Sequence, residues 1–167
     1  MKILIVTDAW HPQVNGVVTT LSNVTKELIK AGHEVDIVEP SLFKSIPLIG
    51  YSEIKIAIET NQLKKYILNE TYDFIHISTE GPLGFRARAL CRKHKILFTT
   101  AIHTKFPEYL KARINLPIEI TYSYLKWFHS GATKTLVNTI SQKDELIQRG
   151  FKNLETWSRA IDLDIFK

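Results

Sequence analysis

The sequence carries one cysteine, Cys91, so an internal disulfide framework is excluded and a reducing compartment is expected. No apolar run approaches the roughly 18 residues of a membrane-spanning helix. The opening Met1-Lys2-Ile3-Leu4-Ile5-Val6 is too short for a signal segment, and Asp8 interrupts it where such a run would continue. It reads as a first strand, in a cytosolic protein. Internal repeats, low-complexity tracts and Pro/Gly-rich linkers are all missing. The loop from Thr7 to Val18 contains a single glycine, Gly16. A G-x-G-x-x-G fingerprint is therefore absent, which argues against a dinucleotide oxidoreductase, and the P-loop pattern is absent too.

What is present suits one ordinary α/β domain. The chain has 167 residues, 44% of them hydrophobic, enough for one buried core. Charge is unevenly placed: residues 1–80 hold 7 Lys/Arg against 10 Asp/Glu, and residues 81–167 hold 15 against 7. The second half offers a basic flank to an anionic surface, although a solvated lysine-rich face has the same composition.

Short β-branched runs alternate with stretches of helical period. Strands are expected at Ile3 to Thr7, Val35 to Val38, Ile54 to Ile58, Phe74 to Ile77, Ile96 to Ile102, Lys134 to Asn138 and Glu155 to Trp157. Helical spacing runs from Val17 to Ile29, with Gly32 as the stop, and recurs at Leu63 to Leu68 and Ile118 to Phe128. Pro82 opens a helix to about His94, and Ser141 is the expected cap of a helix stopped by Gly150, with Asp144 completing a capping box. The alternation implies a Rossmann-like parallel sheet with helices on both faces. Ligands of such sheets bind outside the carboxyl ends of the strands, where strand order reverses. That rule selects four loops: Asp8 to Gly16, Glu39 to Gly50, Ser78 to Gly84, and His103 to Tyr109.

Three of those loops carry a resemblance. They contain Asp8-Ala9-Trp10-His11-Pro12-Gln13-Val14-Asn15-Gly16-Val17, then His76-Ile77-Ser78-Thr79-Glu80-Gly81-Pro82, then His103-Thr104-Lys105-Phe106-Pro107-Glu108-Tyr109. Together with Trp157-Ser158-Arg159-Ala160-Ile161-Asp162, they resemble the N-terminal domain of family 4 retaining glycosyltransferases. The subgroup most resembled glycosylates diacylglycerol or phosphatidylinositol. The chain departs from the family by carrying Ala160 where a Gly is usual.

The resemblance implies that residues 1–167 are the acceptor-side half of a GT-B enzyme, whose C-terminal nucleotide-sugar domain is not in this sequence. The implied reaction moves a sugar from a nucleotide sugar to a lipid or glycan hydroxyl, with retention and without a metal or other cofactor. It places His103 in the catalytic cleft. Gly16 and the Val17 amide are the expected donor-phosphate contacts, since a glycine at a helix start admits a phosphate. Asp8, Asn15, Thr79 and Glu80 are the acceptor-hydroxyl candidates. Arg88, Arg92 and Lys95 recur at helical spacing, and further basic and aromatic residues follow, from Lys105 to Phe128. This mixture suits docking at an anionic membrane surface, peripherally at the inner face. It would also suit nucleic acid, but the resemblance favours lipid. Asp162-Leu163-Asp164 spells a metal-binding triplet without the strand context such a site needs, and Cys91-Arg92-Lys93-His94 has too few ligands for zinc. The competing reading is a non-enzymatic Rossmann-like binding module, or a half-protein paired with a separately encoded domain.

Overall fold

A computed structural model describes residues 1–48, 51–103 and 117–157. The main sheet has six strands: β1 (Lys2–Val6), β2 (Glu34–Val38), β5 (Phe74–Ile77), β6 (Thr99–Ile102), β7 (Lys134–Val137) and β8 (Leu154–Thr156). Their spatial order is β2-β1-β5-β6-β7-β8, with every neighbouring pair parallel. The chain steps outward from β1 to β2, then returns to the other side of β1 and adds the remaining strands in that direction. Strand order therefore reverses between β1 and β5, and the crevice beyond their carboxyl ends is where such a sheet takes a ligand.

Alternation along the strands separates two faces. Leu4, Val6, Ile75 and Ile77 point into the largest core cluster, with Leu83, Ala87, Leu90 and Phe128 above them. Those residues come from α3 (Pro82–Lys93) and α4 (Ile118–His129), and Leu63 and Ile67 of α2 (Leu63–Leu68) join them. The core continues through Ile102, Val137 and Leu154 to Leu146 of α5 (Ile140–Gln148). On the opposite face, Ile3 and Ile5 pack against Leu21, Val17 and Leu28 of α1 (Gly16–Lys30). Helices thus lie on both sides, four on one and α1 on the other among the described residues.

Several local expectations need correction. The strand ending at Ile102 begins at Thr99, not Ile96: Lys95 takes a left-handed φ of 57°, and the chain re-enters the sheet only after that turn. The cap of α5 is Thr139, whose hydroxyl accepts from Gln142 N–H at 3.1 Å, so Ser141 lies inside the helix. The sequence was also silent about β3 (Ser45–Leu48), which pairs antiparallel with β4 (Tyr51–Ala57) in a separate two-stranded sheet. Pro47 hid it, since a proline demotes a run in any strand reading. Here it tolerates the missing donor in a two-stranded ribbon.

Candidate functional site

The crevice is built around Asp8, the second residue after β1. Its Oδ1 accepts from Leu83 N–H at 2.8 Å, and its Oδ2 accepts from Gly84 N–H at 3.2 Å and from the Thr79 hydroxyl at 2.8 Å. Thr79 Oγ1 in turn accepts from Asp8 N–H at 2.7 Å. Residue Gly81 precedes α3 and has no side chain to cap it, so Asp8 supplies the cap from 75 residues away in sequence. Burial pushes the Asp8 carboxyl above its usual range, against the pull of those three donors. Both Asp8 oxygens are spent on α3 and Thr79, and the Thr79 hydroxyl is spent on Asp8, so the pair welds the β1 and β5 loops together.

Asn15 and Val17 are joined at the start of α1. The Asn15 side chain caps α1, its Oδ1 accepting from both Val17 N–H and Val18 N–H at 3.0 Å. The Val17 amide is therefore satisfied internally, and Asn15 acts as a helix cap. Gly16 is the exposed first residue of α1. Gln13, buried in the preceding loop, accepts from Asn15 Nδ2 through Oε1 at 3.2 Å and fixes the approach to the helix.

Glu80, in the loop between β5 and α3, is the partly exposed carboxylate at this end of the sheet. Its side chain is 19% exposed, and its Oε1 lies 3.1 Å from Nε2 of His129 in α4. Its backbone carbonyl accepts from the Tyr124 hydroxyl at 2.8 Å. His129 and Tyr124 have no signal in the sequence that would tie them to this loop, because the contact spans at least 44 residues.

His103 lies at the carboxyl end of β6 and is 7% exposed. Its carbonyl accepts from Asn138 Nδ2 at 3.0 Å, which ties this end of β6 to that of β7. Its ring centroid is 6.0 Å from that of Trp157, and the same indole lies 6.2 Å from the ring of His76 on β5. Two histidines and a tryptophan thus share the α1 side of the sheet at the crevice end. Burial, with a smaller contribution from His103, pushes the His76 imidazole down to about 3. Its Nδ1 lies 2.9 Å from the Thr99 hydroxyl.

A pH dependence follows. The unfolded chain protonates His76 near its ordinary value while the folded chain does not, so stability is full above about pH 6.5 and is lost as pH falls towards the folded value. The slope should reach about 1.4 kcal/mol per pH unit. Denaturant unfolding of wild type and His76→Gln at pH 7 and pH 5 measures it. Equal pH sensitivity in the two proteins would remove His76 as the source.

The basic flank is the clearest correction. Arg88 does not line an exposed row with Arg92 and Lys95; it is 5% exposed. Its Nε donates to the Phe128 carbonyl and its Nη2 to the Trp127 carbonyl, both at 2.7 Å. Its guanidinium sits 3.9 Å from the Trp127 ring centroid. The cation satisfies carbonyls in the last turn of α4, which no intrahelical donor reaches. Arg92 is exposed on α3, and Lys95 is exposed beyond its end. The rings of Phe85 on α3 and Trp127 on α4 are half-exposed, with centroids 5.9 Å apart. Thr104 to Tyr109, Lys111, Arg113, Ala160 and the Asp162 to Asp164 triplet lie outside the described residues.

The profile of Glycosyltransferase Family 4 matches residues 14–165. A GDP-mannose-dependent alpha-mannosyltransferase of Mycobacterium tuberculosis is 19% identical over 99% of this chain and 49% of its own length. An alpha-monoglucosyldiacylglycerol synthase of Acholeplasma laidlawii is 25% identical over 65% of the chain and 31% of its own. Sulfoquinovosyl transferase SQD2 of Arabidopsis thaliana is 23% identical over 92% and 34%, respectively. The chain spans about half the length, or less, of these curated relatives.

Proposed function

Because the chain belongs to Glycosyltransferase Family 4, we propose that it is the acceptor-side half of a two-domain enzyme that transfers a sugar from a nucleotide sugar to a hydroxyl of a lipid or lipid-linked acceptor, with retention. The observation that carries this reading is the crevice between β1 and β5. It presents one carboxylate with an oxygen to spare, Glu80, and a histidine, His103, at the carboxyl end of the next strand. A carboxylate that accepts from sugar or glycerol hydroxyls, and an imidazole at the end of the neighbouring strand that donates or accepts, suit the positioning of a hydroxyl nucleophile. The donor's diphosphate would approach the exposed Gly16 at the start of α1. Most donor contacts would come from a second domain, in line with the greater length of the relatives.

The acceptor is proposed to be a membrane lipid, reached by peripheral docking at the inner face of the membrane. Support comes from the half-exposed Phe85 and Trp127 rings and from the exposed Arg92 on the same helix as Phe85, a mixture of aromatic and basic groups suited to an anionic interface. No helix among the described residues is long and apolar enough to cross a membrane. The synthase relative is named for diacylglycerol, which gives the first acceptor to try.

One assay tests the reading. A protein carrying residues 1–167 joined to a second domain should transfer label from GDP-mannose, or another nucleotide sugar, to diacylglycerol in anionic vesicles. Residues 1–167 alone should transfer none and should bind the donor only weakly. No transfer by the two-domain protein from any donor tried would sink the reading. Micromolar donor binding by residues 1–167 would mean that the halves are assigned the wrong way round.

A further inference from the structure

We propose that His129 is a positioning residue that holds the Glu80 carboxylate in the crevice for an acceptor hydroxyl, a role that rests on the glycosyl-transfer reading above. His129 is 2% exposed, and its two ring nitrogens face opposite partners. Nε2 meets Glu80 Oε1 at 3.1 Å, and Nδ1 meets the Thr100 hydroxyl at 2.8 Å. Behind Thr100, at 3.0 Å, stands the hydroxyl of Thr135, and both threonines are fully buried. This polar chain crosses a sheet face on which the neighbouring inward positions are Ile77, Ile102 and Val137. Apolar side chains would fill the Thr100 and Thr135 positions without any polar group to satisfy.

The chain has a direction. An ionised carboxylate only accepts, so His129 Nε2 must carry the proton it gives to Glu80. In the neutral ring, Nδ1 then accepts from Thr100, whose oxygen accepts from Thr135. The Glu80 carboxylate thereby selects the tautomer, and the Thr100 hydroxyl, which donates as readily as it accepts, turns to satisfy the other ring nitrogen. The same helix also fixes the Glu80 backbone through Tyr124. Both the main chain and one carboxylate oxygen of Glu80 are thus anchored by α4. Its second oxygen makes no hydrogen bond to any described residue. Asp8, the other carboxylate at this crevice, has both oxygens engaged. Glu80 is the one prepared to receive a ligand hydroxyl.

Two substitutions separate the ring's two ends. In His129→Gln the amide can stand near Nε2 and keep the bond to Glu80. In His129→Asn it stands near Nδ1, keeping Thr100 and releasing Glu80. In residues 1–167, the ¹³C carboxyl signal of Glu80 should move in the Asn variant and stay near wild type in the Gln variant. In the two-domain protein, His129→Asn should raise the acceptor KM about tenfold, the loss of one charge-assisted hydrogen bond, while the donor KM stays within about twofold. His129→Gln should recover most of that loss. Indistinguishable Gln and Asn variants, in carboxyl signal and in acceptor KM, would overturn the proposal. Should the Asn variant fail to fold, Glu80→Gln takes its place, and an unchanged acceptor KM there overturns it equally. If the two-domain protein transfers no sugar at all, the transfer reading fails, and the Glu80 signal by itself decides whether His129 holds the carboxylate.

Discussion

Gly84→Ala should cost about 3 kcal/mol or more of stability, the upper range for forcing atoms into a packed site. A Cβ at this position would stand 1.8 Å from the Thr79 carbonyl oxygen and 2.9 Å from its carbon. Both are backbone atoms, so no rotamer change relieves the clash. Thr79 cannot retreat either, because its hydroxyl is bound to Asp8, which also holds the first turn of α3. Such a loss is a large fraction of the roughly 5–15 kcal/mol that holds a domain together, and corresponds to roughly 6–12 °C in Tm for a chain of this size. Gly32→Ala is the matching control. Gly32 has a φ of +81° but nothing within 4 Å of the added carbon, so its cost is limited to backbone strain of about 1 kcal/mol. Thermal unfolding of the two variants compares them directly. A Gly84→Ala Tm within about 2 °C of wild type would mean that the β5–α3 loop yields where the geometry says it does not.

His103→Ala should lower kcat of the two-domain protein by at least about tenfold, and by more than it raises the acceptor KM, as expected when a polar group at the reacting centre is removed. The imidazole stands at the carboxyl end of β6, one strand from the crevice floor, on a backbone tied by Asn138. Truncating it also removes packing against Trp157, so turnover must be compared at a temperature where the variant is fully folded. His103→Gln helps here: it retains bulk and one polar terminus, and so separates lost packing from lost chemistry. Wild-type kcat in a folded His103→Ala protein would return His103 to a purely structural role beside Trp157 and His76.

The sequence by itself determined the sheet's class and most of its elements. Short β-branched runs such as Phe74–Ile77 and the helical spacing from Val17 to Ile29 are local signals, written in neighbouring residues. Alternation of the two types leaves a parallel sheet as the solution, and the loops at its carboxyl edge follow from that rule. Gly32 and Gly150 could be read as helix stops because both adopt the left-handed φ that only glycine takes at little cost.

The tertiary structure decided which polar side chains in those loops are spent and which are left. Asp8, Thr79 and Asn15 have the right chemistry for a ligand, but helix amides without a local partner claim Asp8 and Asn15 first, and Asp8 in turn claims Thr79. Arg88 has helical spacing with Arg92, but spacing cannot show that the end of α4 lies across that face and offers its Trp127 and Phe128 carbonyls to the guanidinium. His129 is invisible for the converse reason. Its partners Glu80 and Thr100, and Thr135 behind Thr100, come from three separate segments, and only strand order brings them together. Hydrogen-bond saturation is a property of the packed chain: each donor's demand is set by what the fold leaves unsatisfied near it, and no local pattern records that.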